Sequence, residues 1–297
     1  MPFPGELAAL GTACCWVITA MSFESAGKRI GSLAVNLIRL VLAFFFLATL
    51  GALTRGLPAP TDASAHNWCW LSISGLVGFT LGDLALFRAF VLIGSRRAIL
   101  MMSFVPPMSA LLGWIILGEG LSAADLTGMA LTIAGVALAV LERSDNADGA
   151  QIKPMATGIF LALAGALGQA VGLVLSKYGM QDFNPFASTQ IRVIAGAVGF
   201  AVIFSFIGWW PKVISALRDT PAMKRVALGA FFGPFLGVSL SLLALQHIKT
   251  GVAATLMATT PVLILAPAAI VFKDRVTPRA ILGTLLAVIG VSVLVLS

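Results

Sequence analysis

Long apolar runs separated by short polar gaps recur from one end of this chain to the other. A bilayer core needs about 20 consecutive apolar residues per helical span. Ten stretches of that order can be read, at 5–23, 33–54, 68–92, 98–117, 124–141, 155–176, 187–208, 225–246, 251–272 and 278–296. The runs are continuous and do not alternate every second residue, so helices are expected and barrel strands are not. The gaps hold Gly, Pro and charged residues and leave almost no chain for an aqueous domain. The pattern predicts an all-α polytopic membrane protein with ten transmembrane helices. No basic stretch precedes the first run, which opens Met1-Pro2-Phe3-Pro4-Gly5-Glu6, so a cleaved signal is not expected and the first run remains as span one.

Composition agrees with this pattern. Of the 297 residues, 59% are apolar and 10% charged, against roughly 45–50% and about 25% in soluble globular chains. A water-soluble particle could not cover its surface with so few charges, which argues against a soluble enzyme, a nucleic-acid binder or a disordered chain. The net charge of +7 is explained by where the basic residues fall. With the spans numbered in order and their ends placed to within a few residues, 13 lie in or at the edge of loops after odd spans: Lys28, Arg29, Arg96, Arg97, Arg143, Lys153, Lys212, Arg218, Lys224, Arg225, Lys273, Arg275 and Arg279. Loops after even spans hold 3 (Arg55, Lys177 and Lys249), and Arg39, Arg88 and Arg192 lie within spans. Cytoplasmic loops carry the excess of Lys and Arg, so the odd loops are expected in the cytoplasm and both termini outside. No nucleic-acid partner is required; the expected partners are the lipid bilayer and a small-molecule substrate, and the reading is compatible with a monomer.

The two halves of the chain resemble each other. A shift of 155 residues lays Gly78 on Gly233, Gly82 on Gly237, Met102 on Met257, Pro106 on Pro261, Glu119 on Asp274, Gly128 on Gly283 and Gly135 on Gly290. A shift of 153 lays Arg39 on Arg192 and Gly5 on Gly158. Chance likeness between apolar helices would match Leu, Ala and Val more readily than Pro and an intramembrane Arg. The division is placed at 1–148 and 149–297, five spans each. An odd number of spans turns the second unit upside down relative to the first, which is the inverted repeat on which many secondary transporters are built. Two packings related by such an axis can exchange roles, so alternating access is the expected mechanism.

The segment Leu117-Gly118-Glu119-Gly120-Leu121, the Gly128 to Gly135 helix after it, Pro106 one helix earlier, and the same arrangement around Pro261 and Asp274 resemble the EamA-type branch of the drug/metabolite transporter superfamily. The resemblance covers nearly the whole chain, and within the branch the chain is most similar to YddG-type amino-acid exporters. It implies ten helices in two five-helix inverted repeats, in the bacterial inner membrane, and outward movement of small metabolites, amino acids including aromatic ones among them. The small multidrug pumps of the wider superfamily use a membrane acid in the first helix. Here Cys14, Cys15, Trp16 and Thr19 stand at that depth, so proton-coupled multidrug export is the alternative, with facilitated diffusion or exchange also open.

Ionisable groups inside a bilayer are expensive and mark functional candidates. Arg39 and Arg192 occupy equivalent places, Arg39 expected near the inner face and Arg192 near the outer face. They either attract a substrate carboxylate or snorkel to the interface. Asp83 is the single carboxylate well inside a span and is either a proton carrier or half of an ion pair with Arg39 or Arg88. Thr12, Trp16 and Thr19 recur at helical spacing on span one, and the corresponding positions on span six are Gly165, Gln169 and Gly172. With Met101, Met102 and Ser103 they are candidates to line a pocket that offers polar contacts and stacking surface. A stripe of this kind is equally compatible with helix packing. Pro106 and Pro261 are expected to kink their spans and act as a symmetric hinge pair.

Cys14, Cys15 and Cys69 lie in or at the edge of spans and are assigned neither metal nor disulfide, and no cofactor is expected. A membrane enzyme is disfavoured. The two histidines, His66 and His247, lie near span ends, no H-E-x-x-H or G-x-S-x-G occurs, and Ser25-Ala26-Gly27-Lys28 fits S-x-x-K without companion motifs. A passive channel is the remaining non-enzyme alternative.

Overall fold

A computed structural model describes residues 3–142, 155–260, 262, 263 and 278–296. Among the described residues every regular element is a helix. Among the described residues six helical stretches are long and apolar enough to cross a membrane: Pro4–Ile30, Ser32–Arg55, Ala65–Ala89, Ala156–Met180, Pro185–Phe206 and Thr220–His247. Val105–Leu117, Ala123–Leu138 and Ile281–Leu296 are shorter apolar helices. The stretch expected as the ninth span, the division near 148, Asp274 and Pro261 lie wholly or partly outside the described residues.

Helix α1 (Pro4–Ile30) runs about two turns past its expected end. Lys28 and Glu24 pair across one turn at 2.7 Å, and the chain breaks only at Gly31, whose φ of 82° favours a residue without a side chain. Gly31 alone joins α1 to α2 (Ser32–Arg55). After an open connection, α3 (Ala65–Gly75) starts on a capping box between Ser64 and Asn67. It leads through a π-helical turn, Leu76–Gly82, directly into α4 (Asp83–Met102).

The break expected at 93–97 is therefore absent: Arg96 and Arg97 are helical, and the chain turns at Ser103 and Phe104. Arg, Ala and Leu sustain a helix there, whereas Pro106 and Pro107 lack the N–H groups that would carry its hydrogen-bond ladder past them. Pro106 does not kink a span. It lies in the first turn of α5 (Val105–Leu117), where its missing N–H has no partner to lose. The chain next forms α6 (Ala123–Glu142), α7 (Met155–Met180), α8 (Pro185–Phe206), the short α9 (Trp210–Leu217) and α10 (Thr220–Ala230).

A second π-helical turn, Phe231–Gly237, follows α10 and continues into α11 (Val238–His247). It lies 155 residues after the first. Pro234 sits inside it, where the wider turn accommodates the ring and the lost N–H. Helix α12 (Thr250–Met257) ends in a turn at Ala258 and Thr259, again 155 residues after the turn at Ser103 and Phe104. Helix α13 (Pro278–Leu296) pairs along its length with α6.

Each π-turn is clasped by a helix of the other half. Helix α7 lies along α3, the first π-turn and α4, and α1 lies along α10, the second π-turn and α11. Glycine permits the approach: a Cβ on Gly168 would come within 2.9 Å of Gly82 Cα, and one on Gly233 within 2.8 Å of Thr19 Cγ2. Helix α8 lies against the first π-turn and α2 against the second, and the two helices pack on each other.

Candidate functional site

The first π-turn carries a buried charged cluster. Asp83 leaves the turn 7% exposed and pairs with the Arg39 guanidinium of α2, which identifies Arg39 as its partner; Arg88 is exposed. From α7, Gln169 Nε2 donates to Asp83 Oδ1 at 3.1 Å and to the Gly78 carbonyl at 3.2 Å. From α8, Arg192, 3% exposed, lays its guanidinium over the Phe79 ring at 4.6 Å.

Arg39 and Arg192 were expected near opposite faces, yet their side chains converge on one stretch of the same helix. Phe79 and Asp83 are about 6 Å apart along it. The reason is reach. Each Arg starts about two turns inside its helix; the Arg192 backbone lies beside Gly75 and its guanidinium reaches on to Gly78 and Phe79, while that of Arg39 reaches Asp83.

Two guanidinium groups and one carboxylate leave the cluster with excess positive charge, and its donors are not all satisfied. The Nε atoms of Arg39 and Arg192 have no hydrogen-bond partner, and neither does the side-chain amide of Asn36, one turn before Arg39 on α2. Buried polar groups without partners are uncommon and costly. Such a cluster is chemically suited to accept an anionic group such as a carboxylate, beside the aromatic faces of Phe79 and of Phe23, whose ring lies 5.5 Å from Arg39.

The other expected residues are elsewhere. Thr12 Oγ1 donates to the Gly237 carbonyl at 3.1 Å, and Thr19 Oγ1 to the Gly229 carbonyl at 3.5 Å, each also bonding back within α1. Trp16 is half-buried and its ring approaches Gly237. These three hold α1 on the second π-turn. Met101 lies about 27 Å along α4 from Asp83, packed against the small apolar cluster of Ala89, Ile93, Ala98 and Ala162, and Ser103 is in the turn beyond it. The structure therefore brings together Arg39, Asp83, Gln169 and Arg192, and leaves Met101 and Ser103 apart from them.

Residues not singled out from sequence complete the picture. Phe79 and Asn36 belong to the cluster's surroundings; an Asn in an apolar run was the available signal for the second. A separate clasp ties α5, α7 and α12 at one end of the molecule. Glu119 accepts from the Thr250 backbone N–H at 2.7 Å and pairs with Lys177 at 2.7 Å, and Lys177 also donates to the Ile248 carbonyl. Beside it Lys249 pairs with Asp125 at 2.6 Å. The charge at Glu119 was visible in the glycine-flanked segment that holds it, but its partner was not. Among the described residues no group of His, Cys, Asp and Glu is arranged to hold a metal ion.

Comparison with known proteins supplies the wider context. A crystal structure of 18% sequence identity superposes with a TM-score of 0.78, covering 99% of this chain and 96% of the other; at that identity the likeness concerns the fold. The thiamine-repressible mitochondrial transport protein THI74 of Saccharomyces cerevisiae is 30% identical over 114 residues, which span 38% of this chain and 29% of the yeast protein. The sequence profile of the EamA-like transporter family matches twice, over residues 3–141 and again over 156–296. With both halves matched, this multi-pass membrane protein belongs to the EamA-like transporter family.

Proposed function

We propose that the protein exports small metabolites, amino acids including aromatic ones, across a bacterial inner membrane by alternating access. In this reading ten spans form two inverted five-helix repeats, both termini lie outside, and the halves rock about their common centre. The observation that carries it is the composition of the buried cluster: Arg39 and Asp83 come from the first half, Gln169 and Arg192 from the second. Transporters of the inverted-repeat type hold cargo where the repeats meet, and relative motion of the halves would remake these contacts. A cargo carboxylate is assigned to Arg192 and Arg39, and its apolar body to the aromatic faces beside them. The turns at Ser103–Phe104 and Ala258–Thr259, next to Pro106 and Pro261, are the assigned hinges.

Counterflow into proteoliposomes tests this directly. Aromatic and other neutral amino acids are expected to exchange with saturation, against a panel of cationic drugs and nucleotide sugars at two pH values. Flux of drugs alone overturns the substrate assignment, and non-saturable leak overturns transport by alternating access.

A further inference from the structure

The connection between α8 and α10 differs from its counterpart in the other half. After α2 the chain passes through an open stretch, 56–64, in which Arg55 is neutralised by Asp62. After α8 it forms a helix of its own, α9. That helix has three distinct sides. Val213 and Ala216 are buried on the protein. Trp210, Ile214 and Leu217, at spacings of a helical face, are exposed, Leu217 by 52%, and Phe206 at the end of α8 adds a side chain exposed by 87%. Lys212 lies on the remaining side, held 3.6 Å from the centre of the Trp209 ring.

Charge gathers around this helix. Arg29 reaches from α1 to Asp219 at 3.0 Å and Arg225 reaches to Ser25, so the end of α1 and the start of α10 adjoin α9 as one surface. Lys28, Arg29, Lys212, Arg218, Lys224 and Arg225 are all exposed on it. Among the described residues at the end of α1, in α9 and on to the end of α10, the acidic groups are Glu24 and Asp219, already paired with Lys28 and Arg29. Six basic against two acidic side chains leave a formal charge of +4.

We propose that α9 and the basic groups around it form a binding surface for the headgroups of anionic phospholipids, with Trp210, Ile214, Leu217 and Phe206 seated among the acyl chains. A helix with an apolar face, a basic rim and flanking membrane spans lies in the bilayer interface. Each Lys or Arg near an anionic leaflet contributes about 1 kcal/mol, or roughly fivefold in affinity. A nucleic-acid partner would meet the basic rim but leave the apolar side uncovered, and the membrane spans on either side of α9 set that side against acyl chains. Lipid meets both at once, which is why the charge complementarity selects it.

The experiment is native mass spectrometry of the delipidated full chain titrated with phosphatidylglycerol or phosphatidylcholine. The wild type should retain phosphatidylglycerol at least fivefold over phosphatidylcholine. The triple variant Lys212→Gln, Arg218→Gln, Lys224→Gln should lose that preference, while Arg279→Gln, on α13, keeps it. Raising salt should erode the wild-type preference through screening, a reading that needs no variant. Equal retention of the two lipids by the wild type, a preference untouched by salt, or a preference kept by the triple variant would each overturn the proposal.

Discussion

The two π-helical turns stand at the same register in the two halves and are furnished in opposite ways. The first ends on Asp83 and is surrounded by Arg39, Gln169 and Arg192. The second contains Pro234 and is met by hydroxyls and an indole, Thr12, Thr19 and Trp16. Geometry was duplicated and chemistry was not. A wide turn leaves backbone carbonyls free for side chains, and both turns use this: Gln169 bonds Gly78 and Thr12 bonds Gly237. Charge sits on one side alone. In the function proposed above, the shared geometry is assigned to the motion of the halves and the charged cluster to recognition.

The largest effect should come from removing the carboxylate of the first turn. Asp83→Ala leaves Arg39 and Arg192 buried without a counter-charge, and breaking a buried pair costs about 3–5 kcal/mol. Purified yield and thermal stability in detergent should fall sharply, and a variant as stable as the wild type would show the pair to be solvated. Gln169→Leu comes next. It removes donors to a carboxylate and to a π-turn carbonyl, together about 2–4 kcal/mol, and should cut counterflow at least tenfold in protein that still folds.

The matching change at the second turn is milder. Thr12→Val leaves one carbonyl without its donor, about 1 kcal/mol, and should lower melting temperature modestly with transport mostly retained. If Thr12→Val and Gln169→Leu proved equally damaging to flux, the two turns would share one role. The smallest effect lies far from both turns. Asp219 caps α10 through the Ala222 N–H and meets Arg29, which together hold its carboxyl below the usual carboxylate range. A depressed folded value stabilises above the unfolded pKa and is lost as pH falls through the folded one. Asp219→Asn should therefore flatten a shallow acid-side decline in melting temperature and leave neutral-pH counterflow unchanged.

How far the sequence spoke for this arrangement depended on the kind of signal. Helical spans were legible from run length, and Gly82 and Gly237 were legible as equivalent positions of the two halves. The break between α4 and α5 was misplaced because Gly94, Ser95, Arg96 and Arg97 look like a loop. A run of good helix formers does not end at charge alone, and the prolines ten residues on decide the matter. That error carried Met101 and Ser103 toward a site from which α4 holds them about 27 Å away. The π-turns left no trace, since one surplus residue per turn is invisible where nearly every position is apolar. Asp83 with Arg39 was one of two pairings open to sequence. The convergence of Arg192 was hidden, because helical depth locates a Cα and the guanidinium lies several ångströms further on.

The most direct test of the central claim is counterflow of a labelled aromatic amino acid with Asp83→Asn, which keeps the side-chain shape and removes its charge. The account predicts saturable exchange in the wild type and its near-complete loss in Asp83→Asn reconstituted at equal folded amounts. Undiminished exchange by that variant would contradict it and move the recognition site away from the first π-turn.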